Sequence, residues 1–190
     1  MIPSTEQLIS IAREYWPSNM EAYHSPDTCP QFAKLDERWQ HELARMERWE
    51  AFIRDLEADV PGFSIGNITA TPDACLRCGV YNITEKPRTD YWVVVGCMSI
   101  LAPVYTVYTA RVSVVGGRRR PQEPQLFGPF PPEMQPIVDA TSRRLEATFA
   151  VSALPRDVAE TPIPLFVEPL SPPETTLFHA LFTSVPASIP

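Results

Sequence analysis

Glycine is scarce in this chain, with seven in 190 residues. A backbone cradle for phosphate needs clustered glycines, and neither a phosphate-binding glycine loop nor a dinucleotide fingerprint occurs. No G-x-S-x-G nucleophile elbow occurs either. Histidine is limited to three residues and cysteine to four, which leaves few positions for metal or nucleophile chemistry. No apolar run approaches the roughly 18 residues that a membrane span requires; the longest, residues 91–115, is split by Pro103. The first residues, MIPSTEQLISIAREYW, have no cationic start and no signal-length apolar stretch, and they carry Glu6 and Glu14. They do not read as a secretion signal, so the expected location is cytoplasmic and the cysteines are expected to be reduced thiols. The Asn-Ile-Thr triplets at Asn67 and Asn82 carry no weight without a secretory signal. Positive charge is also short: 16 basic against 23 acidic residues, a net of −7. That balance argues against nucleic acid as a direct partner.

What the chain does have is proline, with 22 residues, most of them after residue 100. They predict short elements and rigid extended connections. Leucine, phenylalanine, isoleucine and valine are interleaved with them, which argues against disorder. At 44% apolar and 21% charged the composition is that of an ordinary folded domain, and the length suits one domain over residues 1–190. Charge is uneven along it. Residues 1–60 carry a net of −6, residues 61–120 a net of +4, and residues 121–190 a net of −5. Two acidic ends favour encounter with a basic protein partner.

The run YWVVVGCMSILAPVYTVYTARVSVV, residues 91–115, is rich in β-branched and aromatic residues, and that predicts strand. Pro103 cannot donate to a ladder. The run therefore reads as two antiparallel strands, 90–100 and 104–115, the first covered on both faces and the second alternating. Shorter strands are expected at 63–69 and 79–84. The fold class is α+β: an antiparallel sheet of about four strands covered by a long N-terminal helix and further helices. Its parts are a helical 1–60, a sheet 61–116, and a helix with a proline-rich extended tail over 129–190.

Ser4 and Gln7 form a helix-start signature, followed by Leu8, Ile11, Ala12 and Tyr15 at helical spacing, with Pro17 as the stop. Residues 18–30 read as a loop. A single helix is expected over 30–59, with Phe32, Leu35, Trp39, Leu43, Met46, Trp49, Ile53 and Leu56 on one stripe about 45 Å long. It is either a partner-binding or coiled-coil helix or one laid across the sheet. The bulk of Trp39 and Trp49 favours the latter. Residues 116–121, GGRRRP, read as a flexible connection, 131–149 as a helix and 174–183 as a final short helix.

The sharpest local pattern is Cys75-Leu-Arg-Cys78. Two thiolates at that spacing are half of a zinc site, but a structural site needs four ligands, and Cys29 and Cys97 stand apart. Ordinary thiols are the favoured reading. His41-Glu42 lacks the second histidine that a zinc-protease helix would place at Arg45. His24 and His179 read as structural, Arg118-Arg119-Arg120 as a solvated loop, and the carboxylates of the first 60 residues as helix faces beside arginines. No catalytic, cofactor-binding or metal-ligating residue is assigned, and no cofactor is expected. Glu14-Tyr15-Trp16-Pro17, the loop carrying Cys29 and the long tryptophan-bearing helix resemble the start of the immunity protein 52 family of bacterial polymorphic-toxin systems. The resemblance implies an α+β, non-enzymatic protein that binds and blocks one cognate toxin, of nuclease type, in the cell that makes it. The acidic segments would mimic the substrate's charge, with Trp16 or Tyr23 as aromatic anchors. The competing expectations are an enzyme assembled around His24, His179 and Cys78, and a zinc-supported interaction scaffold.

Overall fold

The computed structural model describes residues 3–82, 90–116 and 118–189. Its centre is the hairpin of β3 (Asp90–Ser99) and β4 (Val104–Val115), with Val93 opposite Ala110 and Met98 opposite Tyr105. These two strands match the expected ones to within a residue. β1 (Phe63–Asn67) and β2 (Cys75–Asn82) continue the meander outward from β3, giving the order β1-β2-β3-β4-β5, all antiparallel. β2 starts four residues before the expected position, and the expected residues 83–84 lie outside the described residues.

The other edge of β4 was expected to end in a flexible link. Instead β5 (Arg118–Pro121) folds back onto Val112–Val115. Gly116, at φ 60, takes the left-handed turn that this return requires. The same edge is completed by the Thr109–Gln125 bridge and by β6 (Ser152–Ala153), which runs parallel to the start of β4. A cationic edge strand resists pairing with other chains.

From Val93 to Ile100 every residue is buried, so this strand needs a cover on each face. β4 is likewise buried from Val104 to Ala110 rather than alternating. One cover consists of α4 (Met46–Asp59) and α5 (Gln135–Phe149). Trp49 stacks on Phe52 at 4.7 Å between centroids, and Phe149 closes the group at 5.5–5.8 Å. The Tyr105 hydroxyl donates to Glu146 of α5 at 2.8 Å. The second cover is the C-terminal segment. α7 (Leu177–Leu181) sets Phe178 against Tyr108, whose hydroxyl donates to the Pro186 carbonyl at 3.0 Å. The expected final helix is thus shorter than 174–183, and the proline-rich tail is a structural layer. A short α6 (Arg156–Ala159) precedes that layer.

α1 (Thr5–Tyr15) begins at the expected capping box and buries Leu8 and Ala12 completely. The loop expected at 18–30 contains α2 (Met20–Tyr23) and a 3-10 turn (Pro26–Thr28). The single helix expected over 30–59 is two: α3 (Pro30–Leu43) and α4, broken at Ala44-Arg45. The reason is tertiary. α3 directs Trp39 to the Asp73 carbonyl, at 3.0 Å, and Arg38 to the Ile100 carbonyl, at the end of the sheet. α4 must put Trp49 and Phe52 over its face. One straight stripe cannot reach both, and Leu43, at the break, is left 44% exposed. Among the described residues no helix is long and apolar enough to cross a membrane.

The approach of α5 to the sheet depends on Gly96. A Cβ there would stand 2.8 Å from Thr141 Cγ2 and 3.1 Å from Cys78 Sγ. The Thr141 hydroxyl donates to the Ile137 carbonyl at 2.8 Å, so its methyl cannot rotate away without losing that bond. Gly96→Ala is therefore expected to cost about 1–3 kcal/mol by overpacking. Urea unfolding measures this, and an unchanged midpoint would contradict the packing described.

Candidate functional site

The loop from Ile68 to Ala74 joins β1 to β2 and passes under α3. It turns through the Asp73 N–H, which donates to the Ala70 carbonyl at 3.0 Å. The Asp73 carboxylate is held by Thr183 of the C-terminal segment and lies 3.6 Å from Arg77 Nη1. Arg77 projects from β2 and is only 3% exposed. Its Nε donates to the Ile68 carbonyl at 3.3 Å and its Nη2 to the Ser188 carbonyl at 3.0 Å. Nη1, equally buried, has no hydrogen-bond partner among the described residues beyond its ion pair with Asp73. A permanent cation with an unfilled donor at this depth is costly.

Asp73 and Arg77 form the floor of a cleft of about 900 Å³. One wall is Phe32 and Asp36 of α3, the second the 3-10 turn with Asp27, and the third the C-terminal stretch with Glu168 and Val185. Trp16 closes the inner end, its indole donating to the Ala180 carbonyl at 2.8 Å. The cleft thus lies where the helical and C-terminal segments meet at one end of the sheet. Asp27, Asp36 and Glu168 are exposed at its rim, and none forms an ion pair among the described residues. Burial raises the Asp73 pKa above its ordinary value, against the pull of Arg77 and Thr183.

Several sequence expectations land elsewhere. Cys75 and Cys78 occupy opposite faces of β2, as a three-residue step in a strand dictates. Cys78 faces Gly96 and α5, whereas Cys75 faces Cys97. They cannot grip one ion together, and among the described residues no three His, Cys, Asp or Glu side chains gather as a metal group. All four thiols are buried. Burial pushes Cys78 up to about 12, and Cys97 goes well above its usual range through burial and the adjacent Cys75. His24, His179 and Cys78 do not converge. His24 is exposed at the end of α2. His179 accepts the Thr176 N–H at 3.1 Å and lines a separate hollow of about 390 Å³ with Arg156 and Glu160. Cys78 is on the far side of the sheet.

Trp16, expected as an exposed anchor, is 4% exposed and belongs to the core. Tyr23 is half-buried and packs on Phe166 at 5.5 Å. His41 is exposed beside Glu42. Sequence reasoning did not single out Arg77. The available signal was a charge inside an apolar strand, with an aspartate four residues before it. No protein-family model matches the chain, and comparisons with curated proteins and with solved structures return no match.

Two outcomes follow from this geometry. The four thiols are expected to resist a disulfide reagent in the native protein and all to react once guanidinium unfolds it; rapid native reaction of Cys75 or Cys97 would contradict their burial. The second concerns Asp73. Because folding raises its pKa, the folded chain keeps this proton to higher pH than the unfolded chain. Its contribution favours folding fully below the unfolded value and is lost as pH rises through the folded value. The stability of the native protein relative to Asp73→Asn should therefore fall as pH rises above the ordinary carboxylate range. Urea unfolding as a function of pH measures the difference, and a rise with pH would overturn the assignment.

Proposed function

We propose that the chain is a non-enzymatic immunity protein that binds and neutralises one cognate bacterial toxin, of nuclease type, in the cytoplasm of the cell that makes it. The observation that supports this most is the cleft, with three rim carboxylates that form no ion pair among the described residues and a fourth held at the floor. A nuclease gathers lysine and arginine around its own cleft to hold anionic substrate. An acidic hollow on a chain of net charge −7 is complementary to such a surface.

Neutralisation is tested by co-expressing the chain with the toxin encoded beside its gene, reading growth rescue and co-purification. Failure of both would end this reading. If charge guides the encounter, the association rate should drop by at least about tenfold between 0.05 and 0.5 M salt, because screening acts mainly on the on-rate. Stopped-flow mixing measures it, and a rate flat across that range would exclude charge mimicry as the mode of recognition.

A further inference from the structure

We propose that the start of α7 is an acid-sensitive latch: a proton on His179 Nδ1 breaks the capping box there and loosens the C-terminal layer, including the wall it gives the cleft. The inference concerns the fold and holds whatever the chain binds. Thr176 and His179 cap the helix reciprocally. The Thr176 hydroxyl oxygen accepts the His179 N–H, and His179 Nδ1 accepts the Thr176 N–H at 3.1 Å. That hydroxyl oxygen lies 3.1 Å from the same ring nitrogen. An acceptor at Nδ1 requires the neutral imidazole with its proton on Nε2, since an imidazolium is a donor at both nitrogens. Protonation therefore leaves two donors facing each other. It also brings positive charge against the N–H groups of the first helical turn.

The surroundings of the ring do not compensate. It is half-buried and edge-on to Phe178 at 5.6 Å. Among the described residues it forms no ion pair. Three charged side chains line the hollow of about 390 Å³ with it: Glu123, and Arg156 and Glu160 of α6, which are joined in an ion pair of 3.0 Å. α1 also packs on α7, and its charged residues Glu6, Arg13 and Glu14 are exposed. Burial lowers the His179 pKa, and none of these charges pulls it back. The helix so fastened buries Leu177, Phe178, Ala180 and Leu181, and its Ala180 carbonyl holds the Trp16 indole. The chain then runs directly into Thr183, Ser184 and Val185 of the cleft wall. Because folding lowers the pKa, the unfolded chain takes up this proton first as pH falls. The contribution of His179 to stability is full above its ordinary value of about 6.5 and is lost as pH falls through that value toward the folded one.

The test compares urea unfolding of the native chain, His179→Gln and His179→Ala from about pH 8 to about pH 5, a range that spans the ordinary histidine value. Glutamine is the usual partner of threonine in this box and does not titrate. His179→Gln should therefore match the native chain at the upper end. The unfolding equilibrium of the native chain relative to that variant should then rise by up to about tenfold for each pH unit below the ordinary histidine value. His179→Ala loses the box and should be the least stable of the three at the upper end. Asp73, His24 and His41 are present in all three chains, so their titrations cancel in the comparison. Native and glutamine chains that fall in parallel would overturn the proposal. NMR of the native chain is the second measurement, and it decides should the glutamine variant fail to fold. The His179 imidazole should titrate below the ordinary value, and the amide signals of Thr176, Leu177, Ser184 and Val185 should shift with the same midpoint. A proton on Nδ1 at the upper end, or a titration that leaves Ser184 and Val185 unmoved, would overturn it.

Discussion

The structure depends on one constraint: the β3–β4 hairpin is apolar on both faces, and both must be covered. Val93, Val94, Val95 and Cys97 have no exposed surface, and neither do Ala110, Thr109 and Tyr108, which lie opposite the three valines. Each fully buried side chain of this size contributes about 1.5–3 kcal/mol through removal from water. That gain requires two separate layers. A chain of 190 residues supplies one from its helices α4 and α5 and the other from its C-terminal segment. Proline suits the second layer because it holds an extended backbone in place without donors that would have to be satisfied.

The cleft is a consequence of using two covers. α3 and the C-terminal segment come to the same end of the sheet from different parts of the chain, and they do not close over it completely. What lies beneath the gap is Arg77, the one guanidinium carried on the inner stretch of β2. Its bonds to the Ile68 and Ser188 carbonyls tie the β1–β2 loop and the C-terminus to the sheet. Asp73 supplies the counter-charge and is itself held by Thr183. The pair is thus both a fastening between layers and the polar floor of the candidate site.

How much of this was legible depended on range. β3 and β4 could be read because strand preference is dense and local there, and Pro103 marks the turn. The start of α1 was legible in Ser4 and Gln7 for the same reason. The break between α3 and α4 was not, since Leu43 keeps the helical spacing and only the different targets of Trp39 and Trp49 require a bend. β5 was hidden because glycines and arginines have no strand preference of their own; pairing with Val112–Val115 decides it. Trp16 looked like a surface aromatic until its partner, the Ala180 carbonyl 164 residues away, came into place. The site was the least legible part. Asp73 and Arg77 are neighbours in sequence, but Ser188, Thr183, Asp36 and Glu168 join them only through the folded layers.

The proline-rich C-terminal segment is a layer of the core and one wall of the cleft. Hydrogen exchange of the whole native chain, followed by peptide mass, addresses it directly. The amides of Leu177, Ala180 and Phe182 are expected to exchange as slowly as those of β3 and β4, through the same global opening, because each donates a backbone bond within the buried layer, to the Thr161, Thr176 and Phe178 carbonyls at 3.0, 3.2 and 3.0 Å. Fast exchange across 175–183 while β3 and β4 stay protected would contradict it.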